Sequence, residues 1–113
     1  MENGTVLNLL NEFYPAECEV VGPTNMQDIA DGVEFVSPEY ASAMDLSAAI
    51  GTLVIATTFI KTVVDIYTSL KTELKRNPNT EEIEIKISLP KAVIRGLDAK
   101  TRKKLIAEIV KKL

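Results

Sequence analysis

The longest hydrophobic segment of the chain lies between Leu46 and Leu74. Fifteen consecutive residues between Asp45 and Lys61 carry no charge, and beyond Lys61 the polar residues fall on one side. Apolar side chains recur at alternating intervals of four and three residues, which is the spacing of a helical face. A helix that is apolar on most sides is buried in a core, a partner or a membrane, so this segment needs a large packing surface. The row consists of Leu46, Ile50, Leu53, Thr57, Ile60, Val64 and Tyr67.

Turn-forming residues set the ends of this predicted helix. The tripeptide Ser37-Pro38-Glu39 combines a hydroxyl cap, a proline in the first turn and an acid, which favours a helix start. Asp45 is an alternative cap for a fresh start at Leu46, so the sequence leaves open one helix or two. Asn77-Pro78-Asn79 stops the pattern. We therefore expect a long apolar helix over residues 38–76.

The N-terminal part of the chain combines a helical pattern with two alternating ones. Residues 5–14 place Val6, Leu9, Leu10 and Phe13 on one helical face, and Pro15 should end that helix. Residues 17–21 and 32–36 alternate apolar and polar side chains, which predicts two short strands.

The C-terminal part begins with the clearest alternation in the chain. Residues 82–89 predict a strand that buries one face and exposes Glu84 to solvent. Asp98 then caps a predicted basic amphipathic helix over residues 99–113. The predicted buried face of the strand consists of Ile83, Ile85, Ile87 and Leu89.

These elements together predict an α+β fold in a single domain over residues 1–113. A small two- to three-stranded sheet would pack on one long central helix, with a short N-terminal helix and a basic C-terminal helix. The expected parts are an acidic N-terminal segment (1–36), the long apolar helix (38–76) and a strand followed by the basic helix (82–113). If the strands 32–36 and 82–89 are neighbours, the long helix is a right-handed crossover between parallel strands.

Charge divides the chain into opposite ends. Among its 113 residues the net charge is only −3, but residues 1–45 hold nine acids and no Lys or Arg. Residues 86–113 hold nine bases against two acids. Two interpretations stay open: the ends pair within one chain, or they orient a partner or a head-to-tail assembly.

The residue types needed for catalysis are scarce. The chain has no His, which removes the commonest general base and the usual zinc ligand. Cys18 lies beside two Glu, which should raise the pKa of its thiol, and we expect a buried small side chain there. Five scattered Gly form no phosphate loop. The sequence predicts a non-enzyme without cofactor or metal. One Cys and no basic start at Met1 predict a cytoplasmic protein.

The order of elements resembles a known family. From Val6 onward a helix ending NEFYP precedes a strand pattern ECEVVGP, an acidic loop, the long small-residue helix ending ELKR, and a strand pattern EEIEIKI. This order resembles the effector-associated constant component proteins of prokaryotic conflict systems. The family's opening strand is absent before Val6, and its arginine-rich helix end is reduced to Lys75 and Arg76. The resemblance implies a non-catalytic partner of an effector such as a protease, and it transfers no site residues.

A second, local resemblance involves residues 85–91 and 101–106. They are similar to the strand and second helix of ribbon-helix-helix DNA-binding proteins. The interval between them is too short for the family's first helix, and Glu82 and Glu84 would repel phosphates. Nucleic acid is therefore the less favoured partner.

The sequence as a whole predicts a protein-interaction module, an adaptor or effector-associated component of a bacterial defence or signalling system. It would act by self-association or by binding a partner protein. The alternatives are a membrane-inserting protein through residues 46–60, which is not favoured because fifteen uncharged residues are few for a span, and the DNA-binding protein above. Small residues at helical spacing let helices approach closely, so they indicate the interface. The predicted interface residues are Ser47, Ala48, Gly51, Thr52, Ile55, Ala56 and Phe59.

Overall fold

The chain is helical throughout the part that the structure describes. This computed structural model describes residues 3–32, 43–87 and 96–113. In those residues there are six α-helices and no strand, so the predicted α+β fold with its small sheet is wrong and the protein is predominantly all-α. The helices are α1 (Asn3–Phe13), α2 (Pro15–Val21), α3 (Pro23–Asp31), α4 (Ala43–Leu74), α5 (Thr80–Lys86) and α6 (Ala99–Lys112).

The chain divides into two compact units, Met1–Thr57 and Thr58–Leu113. The first unit contains α1, α2, α3 and the first part of α4. The second contains the remainder of α4 together with α5 and α6. Whether the chain folds cooperatively as a single domain is a separate property, and it stays a prediction.

In the first unit α1, α2 and α3 pack on one another. The predicted N-terminal helix is confirmed, and it buries Val6, Leu9 and Leu10. Gly22 joins α2 and α3. Its φ of 85° lies in the range that L side chains rarely adopt, which explains why a glycine occupies this position. From α4 this unit adds three buried apolar side chains, Ala49, Leu53 and Ala56.

The segment 17–21 is a helix where the alternation predicted a strand. Pro15 explains part of this outcome, since it ends α1 and also occupies the first turn of α2, where a proline ring is tolerated. The helix buries Cys18 and Val21, which are three residues apart, and leaves Val20 52% exposed. A strand would have buried Cys18 and Val20 instead. Five residues are too few to separate a period of two from a spacing of three.

The long helix is confirmed as an uninterrupted α4 from Ala43 to Leu74. Thr57, a buried polar side chain of this helix, donates a 2.7 Å hydrogen bond from its hydroxyl to the Leu53 carbonyl oxygen. The helix ends two residues before the predicted Arg76, because Lys75 adopts a positive φ of 56°. Its backbone N–H still donates to the Lys71 carbonyl oxygen at 3.0 Å, which closes the last turn.

In the second unit α5 and α6 pack on each other. A capping box explains why residues 80–86 are helical: the Asn79 side chain accepts a 2.9 Å hydrogen bond from the Glu82 N–H, and the Glu82 carboxylate accepts from the Asn79 N–H. Arg76 holds the same carboxylate in a 2.9 Å ion pair. The predicted strand over 82–89 is therefore wrong for residues 82–86, and Leu89 lies outside the described residues.

The C-terminal helix begins as predicted. The Asp98 carboxylate accepts a 2.7 Å hydrogen bond from the Thr101 N–H, and this bond lowers the pKa of Asp98. Arg102 donates to the Leu97 carbonyl oxygen at 2.7 Å, which fastens the incoming chain to the first turn. The buried side chains among the described residues of the second unit are Phe59, Ile60, Val63, Tyr67, Leu70, Pro78, Ile83, Leu97, Leu105, Ile106 and Ile109.

Two expectations fall on residues that the structure does not describe. The predicted strand 32–36 lies there beyond Gly32, which ends α3 in a left-handed conformation. The helix start at Ser37-Pro38-Glu39 lies there as well, as does the side chain of Asp45, the alternative cap.

Two isoleucines in α5 give opposite predictions for a helix and a strand. Ile83 is fully buried and Ile85 is 81% exposed, whereas a strand would bury both. We expect Ile83→Ala to lower the free energy of unfolding by about 2–5 kcal/mol. Ile85→Ala should change it by less than about 0.5 kcal/mol. Urea unfolding followed by circular dichroism measures both, and equal losses at the two positions would contradict the helix.

Candidate interaction surface

Four of the seven predicted interface residues lie at the surface of α4 or partly so. Ala48 and Gly51 are exposed, and Thr52 and Ile55 are half-buried. The helical positions of Ala48, Gly51 and Ile55 place these three residues on one side of α4 with Val54, which is 46% exposed. We call Ala48, Gly51, Val54 and Ile55 the α4 strip. It is an apolar surface on the uncharged half of the helix.

The other predicted interface residues do not share this surface. Ala56 and Phe59 are fully buried and belong to the core of the chain, so they have no surface for a partner to contact. The side chain of Ser47 lies outside what the structure describes. Replacing Ala56 by a larger residue would overpack the core, and the strip is better tested at Ala48 and Gly51.

A groove between α2 and α4 borders the α4 strip. Its volume is about 210 Å³, and its lining is mostly apolar and small. The half-exposed side chain of Val20 forms part of one wall, and Glu17 is the charged residue of the lining among those that the structure describes. We call this the α2–α4 groove; it is lined by Ala16, Glu17 and Val20 of α2 and by Ala48, Ala49 and Thr52 of α4.

The charge of the chain divides at the boundary between the two units. The first unit holds nine acids and no Lys or Arg. The second holds thirteen bases against seven acids, a net charge of +6. The α2–α4 groove therefore lies in a unit whose field is uniformly negative, which favours a basic partner.

Cys18 lies in a second groove of the first unit. That groove has a volume of about 300 Å³ and is lined by residues of α1, α2 and α3. The Cys18 side chain is only 6% exposed, and burial together with the charge of Glu17 raises the pKa of its thiol. The predicted buried, unactivated cysteine is confirmed. Within the described ranges no group of His, Cys, Asp and Glu side chains could hold a metal ion.

A third groove, in the second unit, escaped the sequence predictions. It has a volume of about 310 Å³ and carries charges of both signs. Asp65, Ser69 and Glu73 recur every four residues along its α4 wall, and Lys86 of α5 faces it. The four-residue spacing places the two acids on one face of α4, but the position of Lys86 depends on α5 being a helix. The remaining lining residues are Ile66 and Leu70.

One helix of the described residues, over Ala48–Leu74, is long and apolar enough to cross a membrane. Length and composition alone are weak evidence, because core helices pass the same test. Of its most apolar window 39% is buried inside the chain. Lys61 and Asp65 lie in this segment, and both charges would be costly in hydrocarbon.

Helices occupy segments that the two resemblances require as strands. In the effector-associated pattern these are 17–21 and 82–86, which belong to α2 and α5. In the ribbon-helix-helix pattern it is the start of 85–91, of which residues 85 and 86 end α5. The described start of the segment that would enter the DNA groove is therefore helical.

The buried thiol predicts a slow reaction with solvent reagents. At pH 8 we expect Cys18 of the folded protein to react with a disulfide reagent at least about tenfold more slowly than glutathione does. Because the raised pKa lowers the thiolate fraction at any given pH, the rate should keep rising above pH 9.0, the ordinary pKa. Reaction in denaturing urea gives the control rate. A folded rate equal to that of glutathione would contradict the burial.

Replacing each of two glycines by alanine should change the stability of the chain in opposite directions. A Cβ atom at Gly51 meets nothing within 4 Å, and the residue lies within α4. Gly51→Ala should therefore raise the free energy of unfolding by about 0.5–1 kcal/mol. Gly22→Ala should lower it by about 1 kcal/mol or more, because Gly22 has a φ of 85°. Thermal unfolding of both variants measures the difference, and destabilisation by Gly51→Ala would mean that this position is occluded.

Comparison of the chain with protein-family models, with curated proteins and with solved structures gives no match.

Proposed function

We propose that this chain is a non-catalytic protein-interaction module that binds another protein through the α2–α4 groove and the α4 strip. One observation supports the proposal above all: an apolar groove between α2 and α4 opens at the surface, and one of its walls carries a half-exposed valine. Val20 on α2 is 52% exposed, and the other groove residues are mostly alanines. Exposed apolar surface of this kind in a folded chain marks an interaction site.

The residues of this surface fit the anatomy of an interface. The centre is uncharged, because residues 46–60 of α4 contain no acid or base. Ala16, Ala48 and Ala49 line the groove with short side chains, which let a partner helix come close to the backbone. Glu17 provides a charged edge. An apolar centre with a polar rim is the usual arrangement of protein interfaces.

The absence of catalysis is part of the proposal. The chain has no His, and the one Cys has a raised thiol pKa, so neither a Cys–His pair nor a free thiolate is available. The adaptor role implied by the effector-associated proteins agrees with such a module. The proposal keeps that role, with a protein as the partner, although two strands of the family pattern are helices here.

Membrane insertion competes for the same apolar surface and is not favoured. Inserting residues 48–74 would withdraw Leu53 and Phe59 from positions where they are fully buried. It would also place Lys61 and Asp65 in hydrocarbon. A protein partner covers the half-exposed side chains without these costs.

Arginine substitutions at exposed positions of the surface test the proposal. Ala48→Arg and Gly51→Arg add a long charged side chain where the folded chain has room, so we expect unchanged stability for Ala48→Arg and no loss of stability for Gly51→Arg. Each should weaken association by about tenfold or more, measured by light scattering after size exclusion over a range of concentrations. Thr72→Arg is the matched control, since Thr72 is an exposed residue of α4 outside the groove and the strip.

Three outcomes would contradict the proposal. The first is association that is as strong in Ala48→Arg and Gly51→Arg as in the wild type. The second is a wild-type chain that stays monomeric and for which every protein it captures is also captured by Ala48→Arg. The third is wild-type protein that resists extraction from vesicles by alkaline carbonate, which would indicate insertion instead.

A further inference from the structure

We propose that the occupant of the α2–α4 groove is the basic face of α6 from a second copy of this chain. This inference rests on the proposed function and names the partner of the same surface. The resulting contact is heterologous: the groove belongs to the first unit of one copy, and the basic face belongs to the second unit of the other.

The exposed side of α6 has the chemistry that the groove needs. Lys103, Lys104 and Lys111 are exposed and surround the exposed Ala107 at intervals of three and four residues. The opposite side buries Leu105, Ile106 and Ile109, so the orientation of the helix is fixed. The outward face therefore has a short side chain at its centre and a ring of positive charge.

These lysines have no ion-pair partner within the described ranges. The ion pair formed there joins Arg76 to Glu82, and Lys103, Lys104 and Lys111 take no part in it. Over its fourteen residues α6 contains six bases and one acid, Glu108. Because α6 has a net charge of +5 and its lysines are exposed, it can attract an anionic partner.

The groove complements this face in both size and sign. Its walls carry Ala16, Ala48 and Ala49, so a helix with Ala107 at its centre can approach closely. Glu17 lies in the wall, and no base lies anywhere in that unit to repel lysine. With nine acids and no base, the first unit of one copy attracts the second unit of another, which has a net charge of +6.

The chemistry favours a second copy over nucleic acid or an anionic membrane. Either anion would contact the lysines but would leave the half-exposed Val20 and the apolar lining of the groove uncovered. The acids of the first unit would also repel it. Because each copy offers one groove and one basic face, copies add head to tail, and the assembly is a ring or an open chain.

Charge reversal on each side of the contact tests this pairing. Lys103→Glu alters the basic face and Glu17→Lys alters the groove wall. Each variant alone should weaken self-association by about tenfold or more. An equimolar mixture of the two should associate again, because the glutamate introduced on α6 of one variant then faces the lysine introduced in the groove wall of the other. Analytical ultracentrifugation in low salt and in about 0.5 M NaCl measures this, and high salt should weaken the wild-type assembly.

Matched controls carry the same charge changes elsewhere. Lys112→Glu lies on the opposite side of α6 from Lys103, and Glu12→Lys lies on α1 outside the groove lining. Neither should weaken association by more than about twofold. All four positions are at least partly exposed, so circular dichroism should show folded variants. Recovery in the mixture requires that both partners are folded, which separates the effect from unfolding.

The failure of this inference can be told apart from the failure of the proposed function. If the wild type associates and Ala48→Arg disrupts it, but charge reversal and mixing have no effect, the groove binds something other than α6 and the inference is overturned. A monomeric wild type at about 100 μM, with no complex in the mixture, overturns it as well. If Ala48→Arg also has no effect on any association, the proposed function falls with it.

Discussion

The structure depends on the burial of the uncharged half of α4. Fifteen residues without a charge cannot form a solvated helix, so other helices have to cover them. The short helices α1, α2 and α3 supply a packed group in the same unit, and Ala49, Leu53 and Ala56 of α4 are buried there. The coverage stops short of Ala48, Gly51 and Val54, and this incomplete burial creates the surface on which the proposed function rests.

Helix termini decide the remaining architecture. Asn79 and Glu82 satisfy each other's backbone N–H groups at the start of α5, and the Asp98 side chain accepts a hydrogen bond from the Thr101 N–H at the start of α6. Lys75 and Gly22 turn the chain at positive φ. Each of these features acts over three or four residues, and together they fix the short helices that tertiary packing alone would leave marginal.

How much could be predicted from the sequence depended on segment length. The periodicity of α4 extends over eight turns, and the cap at Asp98 is followed by fourteen helical residues, so both were predictable. Residues 17–21 offered only five residues, where alternation and helical spacing overlap, whereas the alternation over residues 82–89 was longer and still misleading. The Asn79 capping box was visible and is the signal that should have outweighed the alternation of Ile83, Ile85 and Ile87. For the interface, helical spacing found Ala48 and Gly51, but spacing alone could not show that Ala56 and Phe59 are enclosed by the chain itself.

The position of Cys18 makes its thiol a reporter of local opening in the folded chain. The thiol lies between α1, α2 and α3 and is only 6% exposed, so local separation of those helices increases its access to solvent. When opening is fast and labelling is slow, the modification rate follows the equilibrium between closed and open forms. The single cysteine therefore converts the local stability of the three-helix group into a chemical rate, with no second thiol to confuse the signal. Any partner that holds α2 in its packed position should lower the modification rate of Cys18, whether or not it contacts the sulfur atom.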